Sequence, residues 1–392
     1  MKPLLLIKNV NLYAPEHMGM KDILICNEKV IEIQPEINPD TIGLPCEIID
    51  GENAAAVPGY VDQHVHITGG GGEAGFYSRV PEIMLSEITS AGVTTVIGVL
   101  GTDGTSRSHE SLLAKAKGLE EEGITAYIMT GSYEYPLKTI TGDARKDIIL
   151  MDKVIGIGEV AVSDYRSSEM TYEEFKRTAT QAFLGGMLSG KCSPLHLHMG
   201  SGQDGLKYLF RLIDETDIPA SRIIPTHVNR SASLFKEAME YAKKGGYIDI
   251  TTGVRPESGF LSSISLHEGL KVCINNNVPI DKITMSSDGN GSMSVPQKNG
   301  KAKLLTTKLC TLHEEVRIAV TETGIPLETV LKLCTVNPAK AYGLYPSKGC
   351  IRTGSDADIL LLDNDMYIDS VIAKGQFHIR NKNKVLKGTF EN

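Results

Sequence analysis

Apolar and polar positions divide the 392-residue chain into stretches of two different rhythms. From residue 1 to about 56, short β-like runs such as LLLIKNVNLY and DILICNEKVIEIQ are separated by turn residues. No helix-period segment interrupts them, which predicts a small antiparallel sheet. A matching patch, GSDADILLLD and YIDSVIAKGQFHIRNKNKVLKGTF, closes the chain. Both termini, 1–56 and 346–392, are therefore expected to pair into one small β-sandwich domain. Between them the rhythm changes to alternating β and α. Candidate strands are VPGYVDQHVHI, GVTTVIGVLG, ITAYIMTGSY, KVIGIGEVAV, PLHLHMG, RIIPTHVN, GYIDITTG and KITMSSDG. The segments between them, among them HESLLAKAKGLEEEG, TYEEFKRTATQAFLGGML and SASLFKEAMEYAKKGG, place apolar residues at helical spacing, and several end in Gly as helices commonly do. Eight β-then-α units imply a parallel sheet with right-handed crossovers, which closes naturally into a (β/α)8 barrel. The expected fold class is thus α/β, a TIM-like barrel over 57–345 with a flanking β-domain built from both termini. An open doubly wound sheet is the alternative, but no GxGxxG follows the first barrel strand to support a dinucleotide fold.

Composition narrows the partner more than the fold. Hydrophobic residues make up 41% and charged residues 22%, as expected of a soluble globular protein. No apolar run approaches the ~18 residues of a membrane span, and the opening MKPLLLIKNVNLY is too short for a secretory signal, so a cytoplasmic location is expected. The seven cysteines are scattered without a CxxC pair, which reads as reduced thiols. A net charge of −8 with no dense Lys/Arg block argues against nucleic acid. A small-molecule partner remains.

In such a barrel the active site lies at the C-terminal strand ends. Strand one ends in His64 and His66, two apart and so on one face, ahead of four glycines that let the backbone turn sharply and deliver Glu73 back over the site. Strand three ends in Tyr133, strand four in Glu159, strand five in His196 and His198, strand six in His227 and strand eight in Asp288. Of the fifth-strand pair, His198 is the expected ligand, and His196 a supporting or core residue. Each position has a blander explanation: a satisfied core histidine, a buried ion pair for Glu159, an Asx turn for Asp288, a rim aromatic for Tyr133. Six strand ends carrying such residues by chance is the weaker account. The set exceeds what one tetrahedral ion can use, and two divalent ions bridged by a carboxylate fit the count, with zinc expected. Arg166 and Arg230 add two guanidiniums on the same rim, suited to carboxylates of an anionic substrate. Glu73 supplies the opposite sign.

At these residues the chain resembles the isoaspartyl dipeptidases (β-aspartyl peptidases) of the amidohydrolase superfamily. The likeness runs through QHVHITGGGGEAG, LGTDG, TGSYEYP, SDYRS, HMG, THVNR and SSDGNGS. The HxH pair alone is common to the superfamily, whereas GGGGEAG, THVNR and SSDGNGS in this order are specific. The resemblance implies that His64 and His66 hold a first metal, that His198 and His227 hold a second, and that Asp288 is both ligand and proton carrier. It further implies that Glu73, with Thr102 nearby, receives the substrate amino group, that Tyr133 faces the developing oxyanion, and that Arg166, Arg230 and Ser292 bind carboxylates. The implied reaction is hydrolysis of the isopeptide bond of a β-aspartyl dipeptide by hydroxide held between two ions, in a homo-oligomer that is an octamer in the family.

One position departs from the family pattern. Well-known members bridge their metals with a carboxylated lysine on strand four; here IGIGEVAV puts Glu159 there, in a strand one residue longer. A glutamate needs no carbon dioxide but has a shorter stem, so the extra residue is expected to push the backbone inward. The rivals are a cyclic-amide hydrolase of the dihydroorotase or hydantoinase kind, in which Glu73 would have no amino group to bind, and a catalytically silent scaffold, which would be expected to have lost ligands.

Overall fold

The computed structural model describes residues 4–296 and 302–391. Its centre is a barrel of parallel strands. Six of them, Tyr60–Val65, Val93–Gly98, Thr125–Thr130, Val154–Val162, Leu195–Met199 and Ile223–Thr226, form one sheet in sequence order, and Ile248–Thr251 and Ile283–Ser286 form a second, two-stranded ladder. The circle closes where Val65 bridges Gly289 and His66 N–H donates to Gly289 O at 2.8 Å. All eight expected strands are therefore present and parallel, with helices between them.

Local sequence explains the helices. The 18-residue helix Tyr172–Ser189 starts at Thr171, whose hydroxyl accepts from Glu174 N–H while the Glu174 carboxylate accepts from Thr171 N–H, a reciprocal cap. It ends at Gly190 in the left-handed conformation. Its inward face buries Phe175, Ala179 and Ala182 against the strands, in one core with Phe235, Leu209 and Tyr241. Truncating a fully buried Phe such as Phe175 or Phe235 costs on the order of 3–5 kcal/mol.

The termini build one nine-stranded sheet. It is mixed, a correction to the antiparallel expectation: Leu4–Tyr13 pairs antiparallel with His17–Cys26 but parallel with Cys46–Asp50 and with Ala55–Pro58. The connection after Lys29–Gln34, with its short turn at Pro39–Thr41, is long enough to return the chain to the same end before it re-enters the sheet. Ala55–Pro58 also pairs with Ile359–Leu362, which joins the two ends of the chain immediately before the first barrel strand. The sheet curls, since Val30 N–H donates to Ser355 O and Ala357 N–H to Glu28 O. Inside the curl lie Leu5, Ile7, Ile23, Ile25, Ile359 and Ile372.

Candidate metal centre

The strand ends converge on Glu159, which is completely buried. Its Oε1 faces His64 Nε2 at 3.3 Å and His66 Nε2 at 3.5 Å, and its Oε2 faces His198 Nδ1 at 3.1 Å and His227 Nε2 at 3.7 Å. Asp288 Oδ1 completes the first side, 3.1 Å from His66 Nε2 and 3.5 Å from His64 Nε2. Adjacent ligand atoms around a tetrahedral zinc, each ~2.0–2.1 Å from the ion, stand about 3.3 Å apart. The observed separations match that edge, in two ligand groups that share Glu159 through opposite oxygens. His64 Nε2 and Glu159 Oε1, which face one another, have no hydrogen-bond partner although both are buried. Orphaned buried donors and acceptors are rare unless something is meant to sit between them, so the residues fit a divalent metal.

A local irregularity delivers Glu159. Leu195 pairs with Ile157 but Leu197 with Val160, and on the other side Ile128 pairs with Val154 but Thr130 with Ile157. Strand Val154–Val162 thus carries one more residue than each neighbour over the same rise, a bulge that re-aims a side chain. Two other members occupy left-handed backbone: His227 at φ 60° and Asp288 at φ 53°. Such conformations cost a non-glycine residue on the order of 1 kcal/mol and cluster at functional sites.

The outward ring nitrogens of His227 and His64 have partners, whereas His66 Nδ1 is buried without one. His227 Nδ1 lies 2.6 Å from Thr251 Oγ1. His64 Nδ1 lies 2.8 Å from His196 Nε2, whose Nδ1 lies 2.8 Å from the Tyr342 hydroxyl. His196 is therefore a support behind His64. Charges respond to this crowding. Burial opposes a charge on His64, but Glu159 and then Asp288 outweigh it and raise its pKa to about 9. Burial, reinforced by Arg230, lowers His227 to about 3. Burial would raise the Asp288 carboxyl, yet its bond to His66 and the other imidazoles hold it at about 2.

A narrow pocket opens over this cluster, lined by His66, Glu73, Thr102, Tyr133, Arg166, His198, Arg230, Asp288 and Ser292 with Gly71 and Gly101. Every non-glycine residue singled out for substrate or proton handling reaches it. Glu73 arrives on the glycine loop and accepts from Ser292 Oγ at 2.9 Å, while its Oε2 is buried without a partner. Gly71 sits at φ 78°, where a Cβ would collide with the Ser78 carbonyl oxygen, so the turn that carries Glu73 requires glycine. Tyr133 O–H reaches His198 Nδ1 at 2.6 Å, and burial followed by Glu159 pushes its phenol well above 10. Arg166 stacks over the Tyr133 ring with its Cζ 5.2 Å from the centroid.

Comparison with known proteins accounts for this convergence. The model of the amidohydrolase family matches residues 55–390. The chain belongs to the amidohydrolase family. A crystal structure of β-aspartyl dipeptidase from Fervidobacterium islandicum AW-1, in complex with β-Asp-Leu dipeptide, is 42% identical, covers 98% of each chain and superimposes with a TM-score of 0.89. A D-hydantoinase structure, 19% identical over 99% of this chain and 97% of its own with a TM-score of 0.70, shares the fold. Among curated relatives, a dihydroorotase from Pelotomaculum thermopropionicum is 22% identical over 94% of this chain and 90% of its own length.

Residues that the strand ends did not point to lie just outside this cluster. Asp164 bonds Arg166 and faces His198. Asp249, buried in the seventh strand, accepts from Gln63 Nε2, Thr226 Oγ1, Thr284 Oγ1 and Ser286 Oγ. A carboxylate inside IDIT was the available signal, since charge is rare in a fully buried strand.

Proposed function

We propose that the chain is a dinuclear zinc hydrolase of β-aspartyl dipeptides. The observation that carries this reading is the polarity of the cavity: the Glu73–Ser292 pair on one wall, Arg166 and Arg230 on another, and the ligand groups beneath. Such walls suit a zwitterion with an additional carboxylate, and the likeness to a β-aspartyl dipeptidase bound to β-Asp-Leu supports the same substrate class. His64, His66 and Asp288 would hold one ion and His198 and His227 the other, with Glu159 between. Two divalent ions, when bound, supply Lewis acidity and a water made acidic enough to ionise near neutrality. The chain's own residues do the rest. Glu73 binds the free amino group and Arg166, Arg230 and Ser292 the carboxylates, with Thr102 at the amino end, fixing the side-chain amide within reach of attack. Tyr133, protonated at every physiological pH, donates to the oxygen that gains charge, a contact whose loss typically costs ~100- to 1,000-fold. Asp288, ionised at neutrality, takes the proton of the attacking water and passes it to the leaving amine.

The test is a dipeptide panel. The β-linked isoAsp-Leu should be hydrolysed and the α-linked isomer should not, and N-acetylation of the isoaspartyl residue should abolish turnover. Equal rates on acetylated and free substrate would remove Glu73 from its role and favour a cyclic-amide hydrolase, the activity class of the dihydroorotase relative.

Three further assignments belong with this reading. The division into a barrel over 57–345 and a terminal domain of 1–56 and 346–392 is supported by the terminal strands sharing one sheet. A homo-oligomer is supported by exposed Leu150, Met187 and Leu188 on two helices packed side by side. A cytoplasmic location accords with seven free cysteines. No helix among the described residues is long and apolar enough to cross a membrane.

A further inference from the structure

Asp164 is 6% exposed and both of its oxygens are in use. Its Oδ1 accepts from Arg166 N–H at 2.8 Å and from Arg166 Nε at 2.9 Å. Its Oδ2 accepts from Arg166 Nη2 at 2.9 Å, lies 3.2 Å from His198 Nε2 and stands 3.7 Å from Arg230 Nη1. We propose that Asp164 is a positioning residue that joins the metal ligand His198 to the two substrate-binding arginines, so that ion and substrate carboxylate are received by one rigid unit. The inference rests on the function proposed above for the arginines, but its His198 limb stands apart from substrate identity.

The first limb follows from imidazole chemistry. His198 turns Nδ1 towards Glu159 Oε2, the shared oxygen of the second ligand group. A neutral ring that offers its Nδ1 lone pair carries its proton on Nε2, which lies 3.2 Å from Asp164 Oδ2 and 3.0 Å from Arg166 Nη2; of these two neighbours only the carboxylate can accept that proton. A carboxylate behind a ligating imidazole fixes the tautomer and the ring plane and makes the ligand more basic. The second limb follows from guanidinium geometry. Arg166 spends Nε and Nη2 on Asp164 in a bidentate fork and is held from below by the Tyr133 ring. It therefore meets an incoming carboxylate already immobilised, with Nη1 outside the fork. The carboxylate also offsets part of the repulsion between two guanidiniums that face the same cavity.

Zinc retention and steady-state kinetics of Asp164→Asn test both limbs. The amide keeps the shape but loses the charge and one acceptor. Zinc release to a chromogenic chelator should become easier by ~10- to 100-fold for one of the two ions, the range expected when a partner behind a metal ligand is removed. In protein reloaded with zinc, KM for isoAsp-Leu should rise by ~10- to 100-fold, with a smaller change in kcat, as a charged hydrogen bond is lost behind the arginines. Asp164→Glu, which retains charge and both oxygens, should recover part of each loss; it also serves if the amide variant does not fold. A KM effect with unchanged zinc release overturns the proposal, because Asp164 would then serve the arginines alone. Weakened zinc with unchanged KM overturns it equally. Failure of the wild-type protein to cleave any β-linked dipeptide would instead refute the proposed function, while unchanged zinc release would still overturn the His198 limb.

Discussion

Glu159 presents one oxygen to each pair of histidines, so its value lies in having two equivalent anionic acceptors in a site where an unmodified lysine would add positive charge. Glu159→Gln keeps the shape but replaces one acceptor with an NH2 donor. Elemental analysis should then find metal content falling from about two ions per chain towards one, with activity reduced by at least ~100-fold. Glu159→Lys should be nearly inactive without bicarbonate and only partly rescued with it, since the bulge is set for the shorter stem. Two ions retained in Glu159→Gln, with an unshifted pH–rate profile, would show that another residue bridges. The same logic applies behind His64. Burial and the neighbouring His64 hold His196 well below its ordinary pKa, hence neutral, so it can accept from His64 Nδ1–H at Nε2 only while its own proton sits on Nδ1, towards Tyr342. Tyr342→Phe should loosen that arrangement and weaken zinc retention severalfold, while His196→Phe should do more. Equal zinc release from wild type and His196→Phe would make His196 a packing residue only.

At the level of elements, the clustering of these histidines and carboxylates was legible because barrel geometry converts strand ends into one place: HVH, HMG, THVNR and SSDG each put such a side chain at the C-terminal end of a strand. The bulge was legible only as a length difference. What could not be read were contacts across large sequence separations, such as Asp164 with Arg230 or His196 with Tyr342, because no periodicity records which side chains meet across a barrel. His313, on helix Cys310–Thr321, is another such contact: its Nδ1 accepts from Tyr60 O–H at 2.8 Å and its Nε2–H donates to Met366 O at 2.9 Å. It joins that helix to the first barrel strand and to the turn before strand Ile368–Ala373. Burial lowers its pKa to about 4, against ~6.5 in an unfolded chain. The unfolded state therefore binds the extra proton first. Stability from this residue is fully present above pH ~6.5 and is lost as pH falls towards 4, by about 3 kcal/mol in all. In His313→Gln, which keeps a donor and an acceptor, the fall in melting temperature between pH 7 and 4.5 should be shallower than in wild type. Parallel curves would remove His313 from the acid sensitivity.

On the scale of the whole molecule, the barrel is two ladders that must be held shut along two seams, between Ile223–Thr226 and Ile248–Thr251 and between Ile283–Ser286 and Tyr60–Val65. Asp249 spans both. From the seventh strand its carboxylate accepts from Thr226 on the sixth at 2.6 Å, from Gln63 on the first at 2.5 Å, and from Thr284 and Ser286 on the eighth at 2.8 and 2.6 Å. Asp62 assists at the second seam, accepting from Ser287 N–H at 3.2 Å. Burial raises the Asp249 carboxyl above its ordinary value while the three hydroxyls pull it down, so a fully buried carboxylate is retained because every one of its acceptor sites is used. Asp249→Leu would leave Gln63 and the three hydroxyls without their acceptor, at about 1–3 kcal/mol for each group that finds no other partner. Asp249→Asn, which keeps one oxygen, should cost about 2–4 kcal/mol. Because these partners lie in the strands and not among the ligands, the loss should appear equally in protein stripped of metal with a chelator. Denaturant unfolding of wild type and both variants, each with and without zinc, measures it. An unchanged midpoint in metal-free Asp249→Leu would mean that the seams are closed by backbone and apolar packing alone. A loss confined to the zinc-loaded protein would instead place Asp249 in support of His64.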